Sequence, residues 1–453
     1  MPRQSSISSA SDIRSSALRQ PSASSAAPSA SDIRLSALRQ PSASSSASDI
    51  RLSALRQPSA SSAAPSASDI RSSALRQPSA AESVPMIDIR RVVKSFKNAA
   101  GEFTVLKGVD LQIGRGDFVS IIGKSGSGKS TLLNMMTGID HPTSGQVIVN
   151  GQDLYKSLDE SGRSLWRGRN LGIVFQFFQL LPMLSLLENV MLPMDYAGVY
   201  DFDERPRRAM QLLETVGLGA QAGKLPLAVS TGQQQLAAIA RALACDPPLL
   251  VADEPTGNLD SRTAEVVINI FEQLAADGKT VVMVTHNPSL TARTTRNIII
   301  SDGEIVNEVV ARSLPLLNHR QMLAVTRQVE RQAYHPNQPI LRRDEHVDKF
   351  FMIERGEVEI VLQGKNRQDV TVARLGPGEY FGEVELLRGG KSIAAVRAAP
   401  ESPVELLVLS RDAFCQLLKE SPLTEEALGR IVQARLQENK STDRRGRGWW
   451  PFK

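Results

Sequence analysis

The chain has 453 residues, which is more than one hydrophobic core usually organises, so we expect two folded domains and additional unstructured sequence. Residues 1–80 contain nine Arg and four Asp, a difference of +5 that equals the formal net charge of the whole chain, so the remaining residues have no basic excess for nucleic acid. The two cysteines lie in unrelated contexts, which argues against a disulfide framework, and no apolar run approaches the ~20 residues of a membrane-spanning helix.

Residues 1–83 form a low-complexity segment with four near-copies of the unit SASDIRSSALRQPSAS. Each copy offers one Ile and one or two Leu among Ser, Ala, Arg and Pro. This is too little apolar surface to offset the entropy of ordering, so we expect disorder. The alternative is a set of short helices, such as SDIRLSAL, that fold on a partner.

Residues 84–312 have the pattern of an α/β domain. Alternating apolar residues around Ile87 and Ile89 predict a half-buried strand. Continuous apolar runs, rich in β-branched residues, predict strands that are covered on both faces, at residues 118–122, 249–252 and 281–284. Helical patterns lie between them, which indicates a parallel core sheet.

The pattern changes after residue 312. A helical connector is predicted from Leu314 to Ala333, and short strands separated by Gly-containing turns predict an antiparallel β-roll within residues 313–421. Residues 422–453 are predicted to form an amphipathic helix, followed by the basic aromatic tail RRGRGWWPFK. This tail could lie at an anionic bilayer surface, or it could be a disordered end.

The strongest motif is GKSGSGKST, which directly follows the predicted strand ending at Ile122 and opens a helix. Its spacing and context match a phosphate-binding P-loop, in which backbone N–H groups and a helix N-terminus surround anionic oxygens. Lys129 should reach the β- and γ-phosphates of a nucleotide, and the Ser130 hydroxyl should hold Mg²⁺. The expected binding residues of this loop are Gly123, Lys124, Ser125, Gly126, Ser127, Gly128, Lys129, Ser130 and Thr131.

A second motif, LLVADE, ends a predicted strand with two carboxylates, Asp253 and Glu254. Ligands of open α/β sheets bind at the carboxyl ends of the strands, so these acids should face the P-loop. Asp253 would bind Mg²⁺ through water, and Glu254 would act as the general base that activates the attacking water. A solvated turn is the alternative, which the complete P-loop makes less attractive.

These motifs and several others resemble the ATP-binding-cassette (ABC) family over about residues 86–308. In that family a second subunit presents a signature helix to the γ-phosphate of ATP, a Q-loop glutamine touches Mg²⁺, and a switch histidine senses the γ-phosphate. The matching positions are Ser230, Gly232 and Gln233 in the signature, Gln176 in the Q-loop, Asp260 in the D-loop, His286 at the switch and Phe96 at the adenine. The resemblance implies catalytic roles for Lys129, Glu254 and His286, and Mg²⁺ contacts for Ser130, Gln176 and Asp253. Without their positions in the order of these motifs, His286 would be interpreted as a structural residue and Phe96 as a core residue.

The amino-acid sequences of these motifs most resemble the lipoprotein-releasing and macrolide-export type of ABC ATPase. This resemblance implies an integral-membrane permease that docks at Gln176 and the apolar loop after it. It also implies a homodimer, since each chain has one P-loop and one signature, and a cytoplasmic, peripheral location at the inner face of a membrane. The signature departs from the family at Val229 and Thr231. Thr231 adds a Cβ near the phosphate, so hydrolysis could be slowed, and a low-turnover nucleotide-gated scaffold is the alternative function.

The C-terminal part resembles a cyclic-nucleotide-binding β-roll over about residues 314–420. The segment Phe381-Gly382-Glu383 looks like the opening of its phosphate cassette, in which the Glu position binds the ribose. The family expects an Arg that pairs with the cyclic phosphate, but Ser392 stands there, and Ser lacks the charged fork. We therefore expect no cyclic nucleotide, and a regulatory and dimerisation module.

Overall fold

The computed structural model describes residues 84–99, 101–363 and 369–445. The predicted N-terminal repeats and residues 446–453 of the basic aromatic tail lie outside these ranges, while the first two residues of that tail end the last helix. None of the helices within the described ranges is both long enough and apolar enough to cross a bilayer.

The α/β domain contains an antiparallel sheet and a mostly parallel sheet. Its strands are β1 (Ile87–Asn98), β2 (Gly101–Ile113), β3 (Phe118–Ile122), β4 (Ser144–Val149), β5 (Gln152–Asp153), β6 (Leu171–Val174), β7 (Leu249–Asp253), β8 (Thr280–Val284), β9 (Arg296–Ser301) and β10 (Glu304–Ile305). Its helices are α1 (Lys129–Thr137), α2 (Glu160–Asn170), α3 (Leu186–Ala197), α4 (Arg205–Thr215), α5 (Thr231–Ala242), α6 (Ser261–Ala276), α7 (Pro288–Thr291) and α8 (Glu308–Ser313).

The two sheets of this domain share a hydrophobic core, in which Ile87 of β1 and Val147 of β4 belong to the same cluster as Val251 of β7. The antiparallel sheet has the order β2-β1-β4-β5, and the larger sheet has the order β10-β9-β3-β8-β7-β6, in which β6 to β9 and β3 run parallel. Strand β8 is buried along its whole length, as expected for a strand with helices on both faces. The order places the ends of β3, β8 and β7 side by side at one edge.

A helical arm is formed by α3 to α5, which pack on one another, and α5 packs against β6 of the larger sheet. Two of its helices begin with capping boxes, in which Ser185 exchanges hydrogen bonds with Glu188, and Ser230 with Gln233. A capping box satisfies two of the backbone N–H groups that a helix start leaves free, so it fixes where the helix begins. The start of α5 at the signature sequence is therefore set locally.

The C-terminal part is a β-roll of two antiparallel sheets, as the sequence predicts. Their strands are β11 (Glu330–Tyr334), β12 (Pro339–Leu341), β13 (Lys349–Arg355), β14 (Val358–Gln363), β15 (Asp369–Leu375), β16 (Tyr380–Phe381), β17 (Ala395–Ala398) and β18 (Val404–Ser410). The helices are α9 (His319–Thr326), α10 (Glu383–Arg388), α11 (Arg411–Glu420) and α12 (Pro422–Arg445).

The prediction of one helical connector from Leu314 to Ala333 is wrong. Helix α9 occupies only the middle of that segment. The C-terminal part of the segment belongs to strand β11, which pairs antiparallel with β18. Asn318 starts α9 through a capping box with Gln321. Pairing with a strand more than 70 residues further along the chain, at Glu330 with Val408, overrides the local helical preference.

The β-roll shares a hydrophobic core with the α/β domain. Ile299 of β9 belongs to the same cluster of buried side chains as Phe350 and Phe414, and Ile122 packs against it. Across the same junction, the Ser313 hydroxyl donates to the Gly378 carbonyl at 2.9 Å. Because Ile122 directly precedes the P-loop, the β-roll packs close to the nucleotide-binding motif.

Candidate nucleotide-binding site

The P-loop connects β3 to α1 in the arrangement that the sequence predicts. Gly128 adopts φ 104°, a left-handed conformation that favours glycine, and it caps α1. A Cβ at Gly123 would lie 2.3 Å from the Ile300 carbonyl oxygen, so only glycine fits there. The Lys129 ammonium donates to the Gly123 and Lys124 carbonyls at 2.9 and 3.1 Å, which folds it over the loop.

The loop also holds a polar atom that the protein leaves without a partner. Ser127 is 6% exposed, and its buried hydroxyl has no hydrogen-bond partner among the described residues. A buried hydroxyl without a partner costs free energy unless a ligand or water satisfies it. This orphaned group, together with the glycines and the Lys129 ammonium, fits the phosphate groups of a nucleotide.

Asp253 lies at the end of β7 and contacts the start of α1. Its carboxylate hydrogen-bonds the Ser130 side chain, and burial raises the pKa of Asp253, while the Ser130 hydrogen bond and the Lys129 charge oppose that rise. A serine hydroxyl and a carboxylate side by side are oxygen ligands of the kind that Mg²⁺ prefers. The donor set therefore fits the expected metal.

Glu254 and His286 form the second contact of the site. The Glu254 Oε2 atom lies 2.9 Å from His286 Nδ1, and the Glu254 N–H donates to the Val284 carbonyl at 2.9 Å. Glu254 has φ 46°, a conformation that is uncommon for a residue with a side chain. Both residues line a cavity of about 300 Å³ together with Thr256, Gly257, Thr285 and Asn287. The Glu254 carboxylate is 18% exposed, so water can reach it.

The signature residues lie at the exposed start of α5. The Ser230 hydroxyl accepts from the Gln233 N–H at 3.2 Å, and the Ser230 N–H donates to Gln233 Oε1 at 3.0 Å. Thr231 is exposed and is absent from the residues with positive φ, so its backbone conformation does not require glycine. A Cβ at Gly232 would lie 3.0 Å from the Thr263 side chain, so this position is confined to a small residue.

Three further predicted residues lie on other elements of the domain. Asp260 caps α6, where its carboxylate accepts from the Arg262 and Thr263 N–H groups at 3.0 Å each. Gln176 follows β6 and is half-buried. Phe96 is 37% exposed near the end of β1.

Sequence reasoning missed two side chains at these positions. Phe103 stacks on Phe96 with 5.7 Å between ring centroids, because the hairpin register pairs the two residues directly. The interval NAAG between two alternating segments is a turn signal that could have indicated this pair. Arg241 of α5, which contacts the loop after Gln176, had no local signal.

Residues 106–257 match the family model described as ABC transporter, and residues 331–421 match that of the cyclic nucleotide-binding domain. An uncharacterized ABC transporter ATP-binding protein of Bacillus subtilis, YknY, is 44% identical over 221 residues, which cover 49% of this chain and 95% of that protein. The chain belongs to the ABC transporter ATP-binding proteins. It carries a C-terminal cyclic nucleotide-binding domain, as the sequence resemblance predicted.

Other similar proteins match between 44% and 49% of the chain. An uncharacterized ABC transporter ATP-binding protein of Thermotoga maritima is 49% identical over 200 residues, 44% of this chain and 85% of that protein. A macrolide export ATP-binding/permease protein, MacB, of Syntrophobacter fumaroxidans is 44% identical over 49% of this chain but only 31% of its own length. A solved dimer of an ATP-binding cassette in a post-hydrolysis state, bound to ADP and phosphate, is 41% identical with a TM-score of 0.47, and the match covers 49% of this chain and 97% of that one.

Proposed function

We propose that this protein is the Mg²⁺-dependent, ATP-hydrolysing subunit of an ABC transporter, which energises a separate membrane permease. The proposal rests on two side-chain contacts at one edge of the larger sheet. There the Ser130–Asp253 contact and the Glu254–His286 contact lie at the ends of neighbouring strands, next to the P-loop. One contact offers ligands for a metal, and the other offers a base for water.

Residues of the chain position the attacking water and neutralise charge as water attacks the γ-phosphate. Glu254 accepts the proton of the attacking water, and His286 holds the Glu254 carboxylate in place through its Nδ1 atom. The Lys129 ammonium neutralises charge on the transferred phosphate. Ser130, Asp253 and Gln176 would hold Mg²⁺, which neutralises charge on the β- and γ-phosphates when bound.

A complete site requires two copies of the chain in this proposal. Ser230, Gly232 and Gln233 lie at the N-terminus of α5, where Ser230 and Gln233 hydrogen-bond each other, and no side-chain hydrogen bond joins them to the P-loop of the same chain among the described residues. The N-terminus of a helix carries partial positive charge, which suits the γ-phosphate of a nucleotide held by a second copy. The simplest arrangement is a two-fold symmetric homodimer.

The proposed permease surface is the loop after Gln176. Phe177 is 72% exposed and Met183 is 81% exposed, which are large apolar side chains that a partner could cover. A cavity of about 340 Å³ lies beside this loop and is lined by Phe175, Gln179 and Pro193. A permease docked here would hold the protein at the inner face of a membrane.

The β-roll is proposed to regulate the ATPase without binding a cyclic nucleotide. The Glu383 carboxylate, which the family uses for the ribose, is fully buried in an ion pair with Arg435 of α12. The Ser392 hydroxyl donates to the Ala394 carbonyl at 2.7 Å, and the Glu385 carboxylate lies 3.4 Å from that hydroxyl and 3.5 Å from the Ile393 N–H. A carboxylate on these donors repels an anionic phosphate.

The test of the proposed ATPase is steady-state hydrolysis by the purified full chain, beside Lys129→Ala. Loss of the ammonium that serves the phosphates should weaken ATP binding about 10- to 100-fold and abolish turnover at moderate ATP. Lys156→Ala, which removes an exposed lysine outside the loop, is the control for a general loss of charge. Tight ATP binding without turnover in the parent protein would instead favour the scaffold function, and a response to added cyclic nucleotide would overturn the proposal for the β-roll.

The permease surface has its own test. The double variant Phe177→Ser, Met183→Ser should abolish co-purification with the cognate permease in detergent, because both apolar contacts are lost, while ATP turnover without permease stays unchanged. Leu423→Ser removes an equally exposed apolar side chain, 69% exposed, from the β-roll side and should leave the complex intact. Retention of the complex by the double variant would contradict this location.

A further inference from the structure

Helix α5 links the proposed γ-phosphate contact to the Q-loop. Its N-terminus is capped by Ser230 of the signature, and its last turn carries Arg241. The helix packs against α3 and strand β6, the two elements that flank the Q-loop. A movement at one end of a rigid helix is therefore transmitted to the loop at the other end.

Arg241 hydrogen-bonds the backbone of that loop through both Nη atoms of its guanidinium group. Its Nη1 atom donates to the Gln179 carbonyl at 2.5 Å, and its Nη2 atom donates to the Phe178 carbonyl at 2.7 Å. Within the described part of the chain, no carboxylate pairs with Arg241. The two loop carbonyls are therefore the partners that offset its charge, and charge-assisted hydrogen bonds of this kind are among the stronger ones.

The gripped segment has a strained backbone. Phe178 and Gln179 adopt φ values of 31° and 51°, which residues with side chains rarely adopt. The Gln179 N–H turns back to the Phe177 carbonyl. Two consecutive residues in this region cost free energy and persist only where the surroundings hold them. The guanidinium group supplies such a restraint.

We infer that Arg241 is a positioning residue that couples the signature helix to the Q-loop, so that closure of the signature on ATP and the conformation of the permease-binding loop change together. The inference rests on the proposed function, since it requires ATP to bring two copies together. Its physical requirement is the planar fork of arginine. A lysine at this position keeps the charge but cannot hold two carbonyls in a fixed geometry.

The experiment measures amide hydrogen exchange in the full chain carrying Glu254→Gln, with and without saturating Mg-ATP. In this parent, ATP is expected to slow exchange both in the first turn of α5 and in residues 176–181. With Arg241→Lys added, protection in the first turn of α5 should remain, while protection of the loop should fall about tenfold, the effect of losing one charge-assisted hydrogen bond. Arg167→Lys is the matched control. Arg167 and Arg241 both line the cavity of about 340 Å³ beside the Q-loop, but Arg167 donates to the Gly138 carbonyl at 2.6 Å instead of to the loop.

Every outcome bears on the inference. Equal ATP-dependent protection of the loop in the Arg241→Lys variant would overturn it. Loss of protection in the loop alone, at an unchanged melting temperature, would support it, whereas loss in both segments or a lowered melting temperature would show that Arg241 serves only the fold. Absence of any ATP-dependent protection in the parent would refute the proposed function itself, and with it the coupling.

Discussion

Replacing Glu254 by Gln is expected to lower the rate of ATP hydrolysis about 10²- to 10⁴-fold while ATP remains bound. Glutamine has the size and shape of glutamate but cannot take a proton from water. In the structure, the Glu254 carboxylate is poised against His286 Nδ1 at 2.9 Å, and the residue is fixed by its N–H bond to Val284. The substitution therefore removes a proton acceptor and leaves the backbone of the site in place.

The measurement pairs single-turnover hydrolysis with gel filtration in Mg-ATP. If Glu254 is the base and the site is shared between two copies, the variant should accumulate as an ATP-bound dimer, because closure occurs and hydrolysis does not. Glu214→Gln changes an exposed carboxylate on α4 and should behave as the parent. Turnover at the parental rate in Glu254→Gln would remove Glu254 from the mechanism, and loss of ATP binding would assign it to the fold instead.

The geometry of the candidate nucleotide site could be predicted from sequence because the features that position it are local. The P-loop, its strand and its helix lie within about 20 consecutive residues, and the glycines at 123 and 128 are required by backbone geometry. Strand β7 then brings Asp253 to the same edge, since parallel strands in an open sheet end together. The pairing of Ser130 with Asp253 follows from this topology.

The contacts that sequence reasoning missed join segments that are distant along the chain. Arg241 binds Gln179 across 62 residues, and Arg435 binds Glu383 across 52 residues. Neither pair leaves a periodic or motif-like trace, because one partner of each contact lies in an ordinary helix. Arg241 on α5 resembles any cation near a helix C-terminus, which is expected there from the helix dipole alone. Tertiary packing determines which of these charged side chains contacts a distant segment.

Replacing Arg435 by Met is expected to destabilise the β-roll by about 3–5 kcal/mol. The Glu383 carboxylate is fully buried and its Oε2 atom has no hydrogen-bond partner among the described residues, so Arg435 compensates most of its charge. The guanidinium group also lies 5.3 Å from the Tyr380 ring centroid and donates to the Tyr380 carbonyl. Without it, a buried charge remains unpaired, which is the costly case for an ion pair.

The size of this effect should depend on pH in a defined direction. Burial raises the pKa of Glu383, and the Arg435 charge opposes that rise, so the variant should have a still higher pKa. A folded state that binds a proton more tightly than the unfolded state loses stability as pH rises through the folded pKa. The deficit of Arg435→Met relative to the parent should therefore be larger at pH 8 than at pH 5, as measured by calorimetry.

A double variant separates the unpaired charge from lost packing. Glu383→Gln combined with Arg435→Met removes the buried charge, so it should recover most of the stability and lose the pH dependence. Arg430→Met makes the same change on the same helix, where Arg430 faces Glu426 at 3.8 Å with both side chains largely exposed, and should have no measurable effect. If Arg435→Met matched Arg430→Met at both pH values, helix α12 would not be held by this ion pair. A loss that the double variant recovers would instead show that the cost comes from leaving the Glu383 carboxylate buried without its partner.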